Sequence, residues 1–163
     1  MSRLRCAACG DIIKTSWGER NFLLESEPFI CSADCLIDMI HGFEPRAPIM
    51  DYRETQFKCD ASVGTHCPQL GLNLRSNYER DSGLFLFDHG IPIEYEKYEF
   101  QIGTKLYIPD FYNRRHDVFI EIKGMFGSGA KPKLKKFREL YPQVRFIFVS
   151  WIIRNSFNRR KGK

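Results

Sequence analysis

The sequence predicts an α/β protein: a mixed central β-sheet with flanking helices, preceded by a small cysteine-bearing module. Three observations carry that expectation. All six cysteines fall within the first 67 residues, so the chain divides into two unlike parts. Residues 91–100, 104–108, 116–123 and 144–151 have the apolar patterns of strands. Residues 131–141 lie between the last two and read as an amphipathic helix; strand, helix and strand in succession imply a right-handed parallel crossover.

Composition sets the outer limits. The chain has 163 residues, 43% hydrophobic and 28% charged, which is ordinary for a soluble globular protein and excludes disorder of the whole. Its longest apolar runs, such as 146–149, are too short to cross a bilayer. The N-terminal Met-Ser-Arg-Leu-Arg-Cys has no signal-peptide apolar stretch, so a reducing, cytoplasmic setting without membrane contact is expected. There are 25 basic and 20 acidic residues, and the formal net charge is +5. Residues 154–163 carry Arg154, Arg159, Arg160, Lys161 and Lys163 and no acid, which leaves the body neutral. Such a tail suits a polyanion, or it merely aids solubility.

The cysteines come first along the chain. Cys6-x2-Cys9 and Cys31-x3-Cys35 are separated by 21 residues. Two close pairs at this spacing fit a structural tetrathiolate zinc site, as in treble-clef-like modules. The second pair precedes Leu36-Ile-Asp-Met-Ile40, so it would sit at a helix start, where the dipole favours thiolates. The competing reading is buried free cysteines. Cys59, His66 and Cys67 lack an obvious fourth ligand beyond His41 and read as core or loop residues. The expected division is a zinc module over 1–45, a connector over 46–71, the sheet-bearing core over 72–153 and the tail.

Within the core, residues 74–88 look helical and end near Gly90, although Gly83 weakens the pattern. In 116–123, Val118, Ile120 and Ile122 should face one way and Phe119, Glu121 and Lys123 the other. In the helix, Leu134, Phe137 and Leu140 should face inward. The run 144–151 is apolar enough for burial on both faces.

Chemistry concentrates in Pro109-Asp110, ten residues, then Glu121-x-Lys123. Asp110 at a strand end and Glu121 on the next strand would hold one hard cation, Mg²⁺ or Mn²⁺, with the Ile122 carbonyl as a further ligand. Lys123, on the face of Glu121, would orient water and counter charge growing on a phosphate. Glu79 is a candidate further metal ligand. It is equally the acid of a capping box, Ser76-x-x-Glu79. Glu94 is a candidate catalytic acid or a strand charge beside Lys97.

These stretches together, 75–79, 94–96, 108–111 and 119–124, resemble the PD-(D/E)XK nuclease superfamily. Within it the nearest likeness is to the phage endonuclease I family of Holliday-junction resolvases. The resemblance covers about residues 72–151. It implies a restriction-endonuclease-like core and Mg²⁺-dependent hydrolysis of phosphodiesters in branched DNA, with Glu79, Asp110, Glu121 and Lys123 as the site. It further implies a homodimer, the host cytoplasm if the chain is phage-encoded, and no organic cofactor. The alternatives are a sequence-specific or nicking duplex endonuclease and a non-catalytic DNA-binding protein on the same fold. The expected DNA contacts are Arg75, Lys131, Lys133, Lys135, Lys136, Arg159, Arg160 and Lys161. The family pattern does not require the cysteine module.

Overall fold

The computed structural model describes residues 5–12, 30–57, 64–123 and 130–150. In chain order the elements are α1 (Ala33–Gly42), β1 (Arg53–Glu54), β2 (Thr65–Cys67), β3 (Leu72–Leu74), α2 (Asn77–Asp88), β4 (Glu94–Tyr95), β5 (Tyr98–Ile102), β6 (Lys105–Tyr107), β7 (Phe111–Asn113), β8 (Val118–Lys123), α3 (Ala130–Leu140) and β9 (Arg145–Ser150). The central sheet is four-stranded, in the order β4-β7-β8-β9. Its β4–β7 and β7–β8 pairs are antiparallel, and β8 and β9 run parallel on either side of α3. A three-stranded sheet, β1-β5-β6, and the hairpin β2–β3 complete the fold. Among the described residues no helix is long and apolar enough to cross a membrane.

Period-two alternation along β8 and β9 builds two buried layers. Val118, Ile120, Ile122, Ile147 and Val149 join one cluster with Phe111, with Phe85 and Leu86 of α2, and with Leu36, Ile37 and Ile40 of α1. Phe119, Phe146 and Phe148 join the other with Tyr112, Phe100, Tyr107 and, from α3, Leu134 and Phe137. The faces expected for Val118, Ile120 and Ile122 and for Phe119 are thus observed, and residues 146–149 are buried on both faces. The cysteine-bearing helix shares the first layer with the sheet. Segment 46–71, expected as a connector, contributes β1, β2 and the buried Tyr52.

Several boundaries differ from the sequence pattern. Residues 91–100 form two strands in two sheets, because Glu96 takes φ +41° and turns the chain between β4 and β5. A short strand, β7, follows Asp110 where none was expected. Helix α2 starts at Asn77, after Ser76, whose Oγ accepts the Glu79 N–H at 3.2 Å. Leu140 is 49% exposed, a correction to its expected inward placement; α3 ends there, and Tyr141 packs on Phe137 instead, with ring centroids 5.5 Å apart. Gly83 is a contact point. A Cβ there would lie 3.0 Å from Leu70 Cδ1 and 3.4 Å from both Ile93 Cδ1 and Phe111 Cζ, so its absence lets α2 approach the sheet.

The turn between β7 and β8 holds a buried acid. Asp117, at φ +48°, is fully buried. Its carboxylate accepts from Arg46 Nε (2.8 Å), Ile49 N (3.0 Å), Tyr52 Oη (2.7 Å) and Tyr112 Oη (3.1 Å). Burial, then the bond to Asp117, pushes the Tyr52 hydroxyl well above its ordinary range, so it stays a donor. Asp117→Ala should lower the unfolding free energy by about 3 kcal/mol, because Arg46 and two tyrosines lose their acceptor. Tyr52→Phe removes one donor of four and should cost about 1 kcal/mol. Urea titration of both variants checks the difference; equal small losses would count against a central role for this acid.

Candidate functional site

The cysteine cluster is built from two backbone turns. In the first, Cys6 N donates to Asp11 O (2.8 Å) and Gly10 N to Cys6 O (2.9 Å), with Gly10 at φ +79° closing a knuckle. In the second, Ser32 caps α1 by accepting the Cys35 N–H at 3.2 Å, which places Cys31 and Cys35 at the helix start. The ligand atoms of Cys6, Cys9, Cys31 and Cys35 all lie within 4.8 Å of one another. The sulfur separations Cys9–Cys31 and Cys31–Cys35 are 3.7 and 3.5 Å. Four thiolates around a zinc ion sit about 3.8 Å apart, given Zn–S bonds of about 2.3 Å. The cluster therefore fits a structural metal such as zinc.

The thiols are prepared for it unequally. Burial pushes the Cys6 thiol up, but the N–H groups of Cys9, Ala8 and Cys31 outweigh that and bring it down to about 7. Burial and the adjacent Cys35 and Cys9 thiols push Cys31 up. Metal binding at such a set would release protons. His66 and Cys67 join no metal cluster among the described residues. His66 Nδ1 lies 2.8 Å from Asn73 Oδ1 across the β2–β3 hairpin, and Cys67 is buried in the core. His41 stands beside His116, ring centroids 6.2 Å apart. Cys59 lies outside the described residues.

The carboxylates gather where β7 begins. Asp110 and Glu121 are 6% and 2% exposed. Phe111 pairs with Ile120, so Asp110 stands opposite Glu121 one step beyond. Backbone N–H groups hold both carboxylates: Asp110 N donates to Glu121 Oε2 (3.2 Å), and Ile122 N donates to Asp110 Oδ2 (2.7 Å). In an extended strand a residue's N–H and C=O share an edge, so the Ile122 carbonyl lies on the Asp110 side of β8. Glu96 N donates to Asp110 O at 2.9 Å, which brings a third strand to the same level. Lys123 closes β8 opposite Ser150 in the β8–β9 register; its side chain lies outside the described residues.

Glu79 lies on α2 and is tied to β4 through Tyr95. Only half of the expected capping box forms. The Ser76 Oγ bond is present, but the Glu79 carboxylate accepts from Arg75 N (3.2 Å) and Tyr95 Oη (2.7 Å). Glu94 belongs to a separate ion cluster with Lys97 (2.8 Å) and Arg114 (3.1 and 3.2 Å). Burial raises the Glu94 carboxyl, yet those two cations outweigh it and hold it below its ordinary value. Among the described residues, only the four cysteines bring three or more potential metal-ligand atoms within 4.8 Å of one another.

Sequence reasoning passed over two participants. Tyr95 holds Glu79, and Glu96 pairs with Arg75 at 2.7 Å. Both lie in the stretch 94–96 that carries part of the resemblance, but the alternation of 91–100 around them reads as one strand. Beside them a cleft of about 410 Å³ opens between Thr55, Phe57, Asn73 and Glu94–Lys97. Of the expected DNA contacts, Arg75 is 47% exposed. Lys135 and Lys136 are exposed on α3, and Lys133 Nζ lies 5.3 Å from the Tyr107 ring centre. The Lys131 side chain and Arg159, Arg160 and Lys161 lie outside the described residues.

Purified protein should contain one zinc per chain by elemental analysis. Cys35→Ser should lower the thermal midpoint of the whole core by about 10 °C or more, because Cys35 packs in the main apolar cluster. A metal-free protein with an unchanged midpoint would contradict both statements. Compared with family models, with curated proteins and with solved structures, the chain matches none.

Proposed function

We propose that this chain is a metal-dependent endodeoxyribonuclease that hydrolyses DNA phosphodiesters, with branched or junction DNA as its preferred substrate. The observation that carries the reading is that Asp110 and Glu121, both buried, stand at facing positions of the β7–β8 hairpin, two residues before Lys123. Two buried carboxylates at facing positions of one hairpin would be stabilised by a hard divalent cation. Asp110, Glu121 and the Ile122 carbonyl are the residues that would hold Mg²⁺ or Mn²⁺, with Glu79 extending the set. When bound, the ion polarises the phosphoryl oxygen and makes water a nucleophile near neutral pH.

The chain's own groups do the rest. Lys123 positions the attacking water and offsets the negative charge that grows on the phosphate. Arg75, the α3 lysines and the basic tail bind backbone phosphates and thereby hold the duplex arms. The cysteine cluster binds zinc and acts structurally. By resemblance, a homodimer would present two such sites to a junction.

The test is a panel of labelled four-way junction, flap, mismatch, single-stranded and linear duplex DNA, with Mg²⁺ or Mn²⁺. Junction cutting should exceed duplex cutting. Asp110→Ala and Lys123→Ala should each lower the rate at least about 10²-fold while DNA binding persists. Binding without cleavage on every substrate would favour the non-catalytic alternative, and cutting confined to one duplex sequence would favour a sequence-specific enzyme. Undiminished cutting by both variants would remove these residues from the site.

Deleting residues 154–163 should leave the cleavage step intact. It should flatten the slope of log K against log salt by up to about 4.5, the value for five fewer phosphate contacts on a duplex. Binding titrations at several salt concentrations measure that slope.

A further inference from the structure

We propose that Tyr95 is the positioning residue that fixes Glu79 at the carboxylate site; this rests on reading Asp110 and Glu121 as the cation-binding pair. A glutamate three residues after a serine N-cap ordinarily turns back to the N-cap N–H. Glu79 does not. Its Oε2 accepts from Arg75 N, one residue earlier, at 3.2 Å and from Tyr95 Oη at 2.7 Å. The Tyr95 hydroxyl in turn accepts from the same Arg75 N–H at 3.1 Å. Three groups from α2, from the residue ahead of its cap and from β4 thus close a triangle.

Tyr95 also reaches the strand that carries Asp110. It pairs with Phe111 in the β4–β7 register, and the two rings pack with centroids 5.7 Å apart. Phe111 follows Asp110 directly. The tyrosine therefore ties a flexible side chain on a helix to the strand on which the candidate cation site is built. Partners of this kind orient a ligand and set metal affinity, and their loss typically costs 10–100-fold.

The test compares wild type with Tyr95→Phe, Glu79→Gln, the double variant and Asp110→Asn. Mn²⁺ binding is read by electron paramagnetic resonance of the free ion, and cleavage is followed across Mg²⁺ concentrations. Phenylalanine keeps the ring on Phe111 but removes one of the two donors to Glu79, so the thermal midpoint should fall by only about 2–4 °C. Tyr95→Phe should weaken Mn²⁺ binding about 10-fold and raise the Mg²⁺ requirement for cleavage by a similar factor. The double variant should bind no more weakly than Glu79→Gln alone, because Tyr95 acts through Glu79. Wild-type Mn²⁺ affinity in Tyr95→Phe, or losses that multiply in the double variant, would overturn the proposal. So would a wild type with no Mn²⁺ site that Asp110→Asn abolishes. A wild type that binds Mn²⁺ through Asp110 yet cuts no DNA would overturn only the nuclease reading, and the Mn²⁺ comparison would still decide the role of Tyr95.

Discussion

A carboxylate in a protein interior is tolerated only where donors replace the water it lost, and Asp117 meets that condition with four. The donors come from places far apart in sequence. Arg46, Ile49 and Tyr52 belong to the segment before β1, and Tyr112 belongs to β7. Arg145 extends the tie by donating to His116 O (2.6 Å) and Glu44 O (2.7 Å). The turn of the β7–β8 hairpin is thereby held from three sides. A hairpin held at its turn has one register, and a slip of one residue would send Phe119 and Glu121 to the opposite face. The meeting of Asp110 with Glu121 at the open end thus depends on a different buried acid at the closed end.

The cysteine module is tied into the same arrangement. Cys6, Cys35, Leu36, Ile37 and Ile40 lie in one buried cluster with Ile120, Ile122, Ile147 and Val149. A metal at the four sulfurs would therefore brace α1 against the face of the sheet opposite α3. It would act on the layer that also holds α2 and, through α2, Glu79. Fold stability and site geometry are coupled through packing, although the cysteine cluster and the carboxylates are separate sites.

Much of this was legible in the residues, and the exceptions have physical causes. Alternation in 118–122 and the apolar run 146–149 report burial directly, because both faces of the strands are covered there. The cysteine spacings report the cluster because turn geometry and ligand spacing are both local. The alternation of 91–100 misleads, since nothing local shows that Glu96 adopts a left-handed conformation and hands the chain to another sheet. Leu140 fits the helical stripe but falls where α3 ends, and a periodic pattern does not reveal its own terminus. Gly83 looks like a flaw in a helix until the Phe111 ring beside it is known. The partners of Glu79 were hidden for the same reason: the Tyr95 hydroxyl comes from a strand 16 residues later.

The neutral body also takes on a different meaning once burial is known. Among the described residues the buried charged side chains are Glu79, Asp110, Asp117 and Glu121, all acidic. Asp117 is matched internally by Arg46. Glu94 and Glu96, on the surface side of the sheet, are matched by Lys97, Arg114 and Arg75. Lys135 and Lys136 remain exposed on α3. A polyanion approaching that helix meets ammonium groups at hydrogen-bond range, while several of the compensating acids are withdrawn into the interior. The exposed surface of α3 is therefore more basic than the formal sum of zero over residues 1–153 suggests. A divalent cation at Asp110 and Glu121 would shift the balance further in the same direction.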